Sequence, residues 1–303
     1  MQLKTIRKNI EAKMNAWLET IPDGLRERVR ESLLVSGGSI TSMLLNEKVN
    51  DYDVYLQDRV VLFDLVKHYL GDKFEVLDGG KRDEYMKGLG EDYKNPSVNL
   101  DTHNAWPVLS VRNLKPEQVK IMVQGGKKLN EDVKDEDRNF TPVFISPNAI
   151  SFSNDVQLVS RFSGTPDEIH KSFDFIHATN YFTFKDGLVT NIKALESVIS
   201  RQLMYQGSLY PITSVIRMRK FIKRGWNINA GEILKMCMQV SELNLSDPNI
   251  LEEQLIGVDI AYFEKLVSIL RGIDPEKINA SYIAEIIDRV FAQHDGDPET
   301  EVM

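Results

Sequence analysis

Leu33-Leu34-Val35-Ser36-Gly37-Gly38-Ser39-Ile40-Thr41-Ser42-Met43-Leu44-Leu45, followed after a short spacer by Asp51-Tyr52-Asp53-Val54-Tyr55-Leu56, is the stretch on which the fold of this chain turns. The apolar run Leu33–Val35 leads into a glycine pair, and the segment from Ser39 to Leu45 reads as a short helix capped by Ser39. Glycines allow a close backbone approach to an anion, and a helix start presents free N–H groups and the positive end of its dipole. Beyond the turn at residues 46–50 the chain extends. A period of two then puts Asp51, Asp53 and Tyr55 on one face and Tyr52, Val54 and Leu56 on the other. Neighbouring carboxylates repel one another, and a hard cation with oxygen ligands relieves that repulsion. A lone Gly-Gly-Ser is a common turn, and a lone Asp-x-Asp is a common solvated edge. Together and in this order they imply nucleotide chemistry.

The ordered unit of apolar strand, Gly37-Gly38-Ser39, spacer and Asp51-x-Asp53 resembles the signature of the DNA polymerase beta-type nucleotidyltransferase superfamily. The resemblance implies an α+β head with a mixed sheet. It also implies that Gly37, Gly38 and Ser39 grip a triphosphate, such as ATP, while Asp51 and Asp53 hold Mg²⁺, with Mn²⁺ as the other candidate. The superfamily usually adds a third carboxylate on a later strand, and Asp174 is the candidate. Residues 149–153 and 156–162 read as strands joined by a tight Asn154-Asp155 turn. Thr165-Pro166-Asp167-Glu168 then opens a short helix with a capping box, and residues 173–182 read as a strand whose single carboxylate, Asp174, sits among aromatics. The alternative is an Asp at a strand start making a turn hydrogen bond. By the same alternation His177 points away from the Asp174 face, as a hydrogen-bonded core histidine and not a base.

Further along, Pro211 to Trp226 resembles the neck helix of bacterial-type CCA-adding enzymes and poly(A) polymerases, with its leading proline, Arg219-Lys220-Phe221 and terminal Gly225. The chain lacks that family's Arg-Arg-Asp head motif and its base-reading acid–arginine pair, so preference for C and A is not implied. At about 100° per residue, Arg217, Lys220 and Arg224 share one flank, suited to an RNA backbone. Arg219 and Lys223 fall on the apolar side between Ile212 and Ile216, where a basic side chain either snorkels out or meets a phosphate of nucleotide or acceptor.

The 303 residues suffice for two modest cores. The expected division is a catalytic domain at 1–190, carrying a polar insertion at 79–140, and a helical domain at 191–303 ending in an acidic tail. Two amphipathic helices precede the glycine turn, the first with Ile6, Ile10, Met14 and Leu18 on one face. Helices are expected at about 191–205, 212–224, 229–243, 249–271 and 276–293. A formal net charge of −8 excludes a general nucleic-acid coating protein, so any RNA contact must be local. The single cysteine, Cys237, excludes an internal disulfide framework and a cysteine-based zinc cluster. No apolar run approaches membrane-span length and the start has no signal-peptide core, so the expectation is a cytoplasmic protein without membrane contact. The combined expectation is transfer of a nucleoside monophosphate to a hydroxyl, with an RNA 3′ end favoured as acceptor. The alternatives are a toxin-like transferase acting on tRNA or protein, and a non-catalytic nucleotide- or RNA-binding protein. The general look of the chain also resembles nucleotidyltransferase-like proteins of bacteriophages.

Overall fold

The computed structural model describes residues 1–70, 139–146 and 149–245, the short pieces 75–77, 108–110, 120–122 and 127–130, and positions 250, 254, 281, 282, 284 and 285. The expected helices at 249–271 and 276–293, the acidic tail and most of the 79–140 insertion lie outside the described residues. The chain divides into two compact units. One comprises residues 1–170 and 180–189, the other residues 171–179 and 190 onward.

The first unit is α+β. Helices α1 (Leu3–Leu18) and α2 (Asp23–Ser32) lead into strand β1 (Leu33–Ser36), helix α3 (Gly38–Leu45), strand β2 (Tyr52–Leu56) and helix α4 (Arg59–Leu70). Ile6, Ile10, Met14 and Leu18 of α1 are all buried, as their spacing requires. Short strands β3 (Glu75–Leu77), β4 (Val108–Ser110) and β5 (Lys120–Met122) form a small sheet of their own. The main sheet adds β6 (Lys127–Lys128), β7 (Pro142–Ile145), β8 (Ala149–Phe152), β9 (Val156–Ser163), β10 (Tyr181–Thr183) and β11 (Gly187–Val189). Its order is β11-β10-β1-β2-β9-β8-β7-β6. It is mixed, because β2 runs parallel to β9 while β1 is antiparallel to both β2 and β10.

The β8–β9 hairpin turns through Ser153, Asn154 and Asp155, the last two at positive φ (65° and 57°), a left-handed backbone that Asn and Asp tolerate. One face of the sheet carries Val35, Val54, Leu158, Ile150 and Phe182, each with no exposure. Burying such a side chain contributes roughly 1.5–3 kcal/mol, so this face anchors the unit. Trp17 and Tyr69 pack on Phe152 at ring-centroid distances of 5.9 and 4.6 Å.

In the second unit a helix at Ile192–Ser200 is capped by Asn191, whose Oδ1 accepts from the Lys193 N–H at 3.0 Å. It ends sooner than its expected limit at 205. Arg201 adopts a left-handed conformation (φ 50°), and Gln202–Leu203 then pairs in parallel with Asn227–Ile228. Helices Pro211–Lys223 and Ala230–Ser241 follow, the first with its proline in the opening turn. Phe175, His177, Phe221 and Trp226 form an aromatic cluster, with the His177 ring 4.6 Å from Phe221 and 4.5 Å from Trp226.

The strand expected over 173–182 is corrected. The Ile176 N–H donates to Met204 O and the Gln206 N–H to Asp174 O, so this segment bridges residues 204–206. A 3-10 turn at Ile176–Ala178 then interrupts it, closed by the Thr179 hydroxyl donating to Ile176 O at 2.8 Å. Only Tyr181–Thr183 continues as strand, in the first unit. Among the described residues no helix is long and apolar enough to cross a membrane.

Candidate active site

The glycine turn and one of the carboxylates meet in the first unit. Gly37 joins β1 to α3 at φ 96° and ψ −149°, a backbone closed to ordinary L-residues. A Cβ built on it would stand 2.8 Å from Asp53 Oδ2, so the turn is pressed against that carboxylate. The helix cap is therefore Gly37 and not Ser39, which lies inside the first turn. The Ser39 hydroxyl is buried and has no hydrogen-bond partner among the described residues. Gly38 is exposed, with open space where a Cβ would go. Asp53 lies within β2 and Asp51 just before it, both half-buried.

A row of polar residues crosses the sheet at this level. Tyr181 pairs with Ser36, and the register that sets Val35 opposite Val54 carries on to set Ser36 opposite Asp53. Asp53 is in register with Gln157, and Gln157 with Ser151. The strand beside Asp53 thus offers an amide at this position, and the Gln157 side chain donates to Ser151 Oγ at 3.2 Å. Among the described residues no three His, Cys, Asp or Glu side chains gather as a metal-binding group.

Ser36 is fully buried, and Asn180 and His170 both lie against its hydroxyl. Its hydroxyl donates to Asn180 O at 2.9 Å, and His170 Nε2 lies 2.9 Å from Ser36 Oγ. His170 ends the helix Pro166–His170, whose start has the expected capping box: Thr165 N–H donates to Glu168 Oε2 at 2.7 Å, and Glu168 N–H returns to Thr165 Oγ1 at 3.4 Å. Burial lowers the His170 pKa from 6.5 to about 4, against an opposing pull from Asp167.

Asp174 lies in the second unit and is almost fully buried. Its Oδ2 accepts from Arg217 Nη1 at 2.7 Å and its Oδ1 from Ser208 Oγ at 3.0 Å. Arg217, expected on a flank facing RNA, spends a guanidinium N–H on this ion pair. Arg219 and Lys223 are exposed on the helix side that also exposes Val215 and Ile222, so the expected apolar side is corrected. Burial is confined to the first turn, Pro211–Ser214, and further along Ile216, Lys220 and Phe221 are half-buried. Arg224 is exposed, and its carbonyl accepts from Arg201 Nη1 at 2.9 Å. His177 is a core residue, as expected, although it reaches the core from a 3-10 turn and not by the strand alternation that suggested it. Burial, with Arg224 adding to it, lowers its pKa from 6.5 to about 3.

A family model described as Gad2, Gabija anti-defense 2 family protein, matches residues 8–201, more than half of the chain. The chain belongs to the Gabija anti-defense 2 family. The matched span includes the glycine turn, both carboxylates of the Asp-x-Asp pair and His170. No curated protein matches it. Among solved structures it is similar to the Thermotoga maritima CCA-adding enzyme complexed with tRNA, at 13% identity and a TM-score of 0.36, covering 85% of this chain and 52% of that one. The Bacillus stearothermophilus CCA-adding enzyme in complex with CTP matches at 9% identity and a TM-score of 0.37, with coverages of 80% and 50%. A tRNA-processing enzyme with CTP matches at 11% identity and a TM-score of 0.39, with coverages of 87% and 57%. The chain thus spans about half the length of these structures.

Sequence reasoning missed Ser36, His170, Asn180 and Gln157 of the candidate site. His170 and Asn180 come from segments far from the turn in sequence, and only the β1–β10 pairing and the helix before it bring them there. Ser208, the second partner of Asp174, carries no sequence signal beyond a polar residue in a loop.

Proposed function

We propose that this protein is a Mg²⁺-dependent nucleotidyltransferase that moves a nucleoside monophosphate from a nucleoside triphosphate to a hydroxyl. The acceptor oxygen forms a bond to the α-phosphorus, the bond to pyrophosphate breaks, and the hydroxyl proton leaves to solvent. The observation that carries this reading is the contact of the Gly37 turn with Asp53 at the head of α3. It supports an anion and a cation held side by side: helix N–H groups and the orphaned Ser39 hydroxyl toward phosphate, carboxylates toward metal.

Two carboxylates fit Mg²⁺, which commonly takes one or two from protein and fills its other positions with water and phosphate. Asp51 and Asp53 are the proposed ligands, with Mn²⁺ able to substitute. The bound cation would supply charge neutralisation at the phosphate oxygens. Asp174, held by Arg217 in the second unit, is given no place in this ligand set. Gly37, Gly38 and Ser39 grip the triphosphate. Arg219, Lys223 and Arg224, all exposed, with half-buried Lys220 beside them, are assigned to phosphates of the acceptor. An RNA 3′ end is the favoured acceptor because these cations share one helix and its C-terminal end. Family membership supports a second reading, in which the transfer counters the Gabija defence and the acceptor is a macromolecule of that system.

Calorimetric titration with each Mg²⁺–nucleoside triphosphate tests the site. Saturable binding that EDTA abolishes is expected, and no heat with any of the four nucleotides would refute the assignment.

A further inference from the structure

We propose that His170 is a positioning residue for the nucleotide site, holding the end of β1 so that the Gly37 turn keeps its distance from Asp53. This rests on the proposed nucleotide binding and names a residue outside the turn and the carboxylates.

The proton order at Ser36 follows from the contacts of its hydroxyl with Asn180 and His170. A carbonyl only accepts, so the single Ser36 proton goes to Asn180 O. With that proton spent, the 2.9 Å contact to His170 requires Nε2–H to donate to Ser36 Oγ. The chain therefore runs His170 Nε2–H to Ser36 Oγ–H to Asn180 C=O, with the imidazole neutral. Burial supports the neutral form. Ser36 is fully buried, immediately precedes Gly37, and directly follows Val35, whose partner Val54 adjoins Asp53. A shift at Ser36 is thus passed directly to the glycine whose backbone abuts the carboxylate. The His170 backbone is held in turn by a short helix with a complete capping box. The neighbouring Tyr181 ring, 5.7 Å away, limits where the imidazole can move.

The chemistry specifies its own control. An amide N–H at the end of a glutamine can take the place of Nε2–H, and a phenyl ring fills similar space without a donor. His170→Gln and His170→Phe should both lower thermal stability. Their Mg²⁺–ATP affinities should separate: His170→Phe weaker by about tenfold or more, His170→Gln within about threefold of the parent, since one buried hydrogen bond and its orienting effect are at stake. Amide exchange at Gly37, Gly38 and Ser39 should quicken in the phenylalanine variant and be restored by glutamine. A phenylalanine variant with parental affinity and parental exchange overturns the positioning role alone, as does equal loss in both variants, which marks a merely structural residue. A parent protein that binds none of the four Mg²⁺–nucleotides overturns the proposed function and the positioning role with it.

Discussion

Gly37 and Gly38 are adjacent and identical in sequence, yet the structure gives them opposite tolerances. Gly37→Ala places a Cβ 2.8 Å from Asp53 Oδ2 at a φ of 96°, and should destabilise by about 1–3 kcal/mol. Gly38 meets nothing within 4 Å, and Gly38→Ala should be neutral or slightly stabilising, as expected of alanine in a helix. Urea unfolding of the two variants checks this, and equal stability would contradict the assigned geometry. The buried His177 and the half-buried His170 set the acid limit. His177 titrates near 6.5 when unfolded and near 3 when folded, and His170 near 4. As pH falls through this window the unfolded chain takes up protons that the folded chain refuses, so stability is full above about pH 6.5 and declines below it. His177→Phe should flatten the decline of Tm between pH 6.5 and 4; an unchanged slope would assign it elsewhere. At this scale the sequence was partly legible. The glycine pair marked the turn, but a cap by Ser39 and a cap by Gly37 look alike until φ is known. Asp51 reads as a strand residue by alternation, although β2 begins one residue later, at Tyr52.

The elements that alternate plainly were readable, namely α1 with its Ile6–Ile10–Met14 stripe and the β8–β9 hairpin with its Asn-Asp turn. The segment 173–182 was not, because an apolar run with β-formers carries no mark of the turn that the Thr179 hydroxyl closes or of the pairing with residues 204–206. That error moved Asp174 from a strand into the second unit, where it pairs with Arg217. Arg217→Ala strips the buried carboxylate of its cation and should cost about 1–3 kcal/mol, less than a wholly buried pair because Arg217 is 44% exposed. Asp174→Ala should cost a similar amount, and a double-mutant cycle should show a coupling of about 0.5 kcal/mol or more. Additive losses would deny the pair. On the same helix Arg219 and Arg224 are both exposed, so alanine at either should weaken RNA binding modestly and lose its effect as salt is raised. A salt-insensitive loss at Arg219 would instead indicate a specific phosphate contact.

At the scale of the whole molecule, an acidic chain with a local run of basic residues on the helix Pro211–Lys223 is suited to local contact with an acceptor and not to coating one. The two-unit organisation bears on stability as well, since variants at Gly37 and at Asp174 fall in different units and their unfolding effects should add. The α+β class was legible from the order of periodic segments, and the mixed sheet was implied by the resemblance to the nucleotidyltransferase superfamily. The eight-stranded extent was not, because β10 and β11 join β1 from more than 140 residues downstream. The central claim is transfer chemistry at the Gly37–Asp53 contact. Its most direct test is incubation of the protein with α-labelled nucleoside triphosphates, Mg²⁺ and either total RNA or total protein, scoring label in the macromolecule for the parent and for Asp53→Asn. The account predicts label transfer by the parent, lost on the order of a thousandfold in the variant. Absence of transfer by the parent to either acceptor, or a variant within about tenfold of it, would contradict the account.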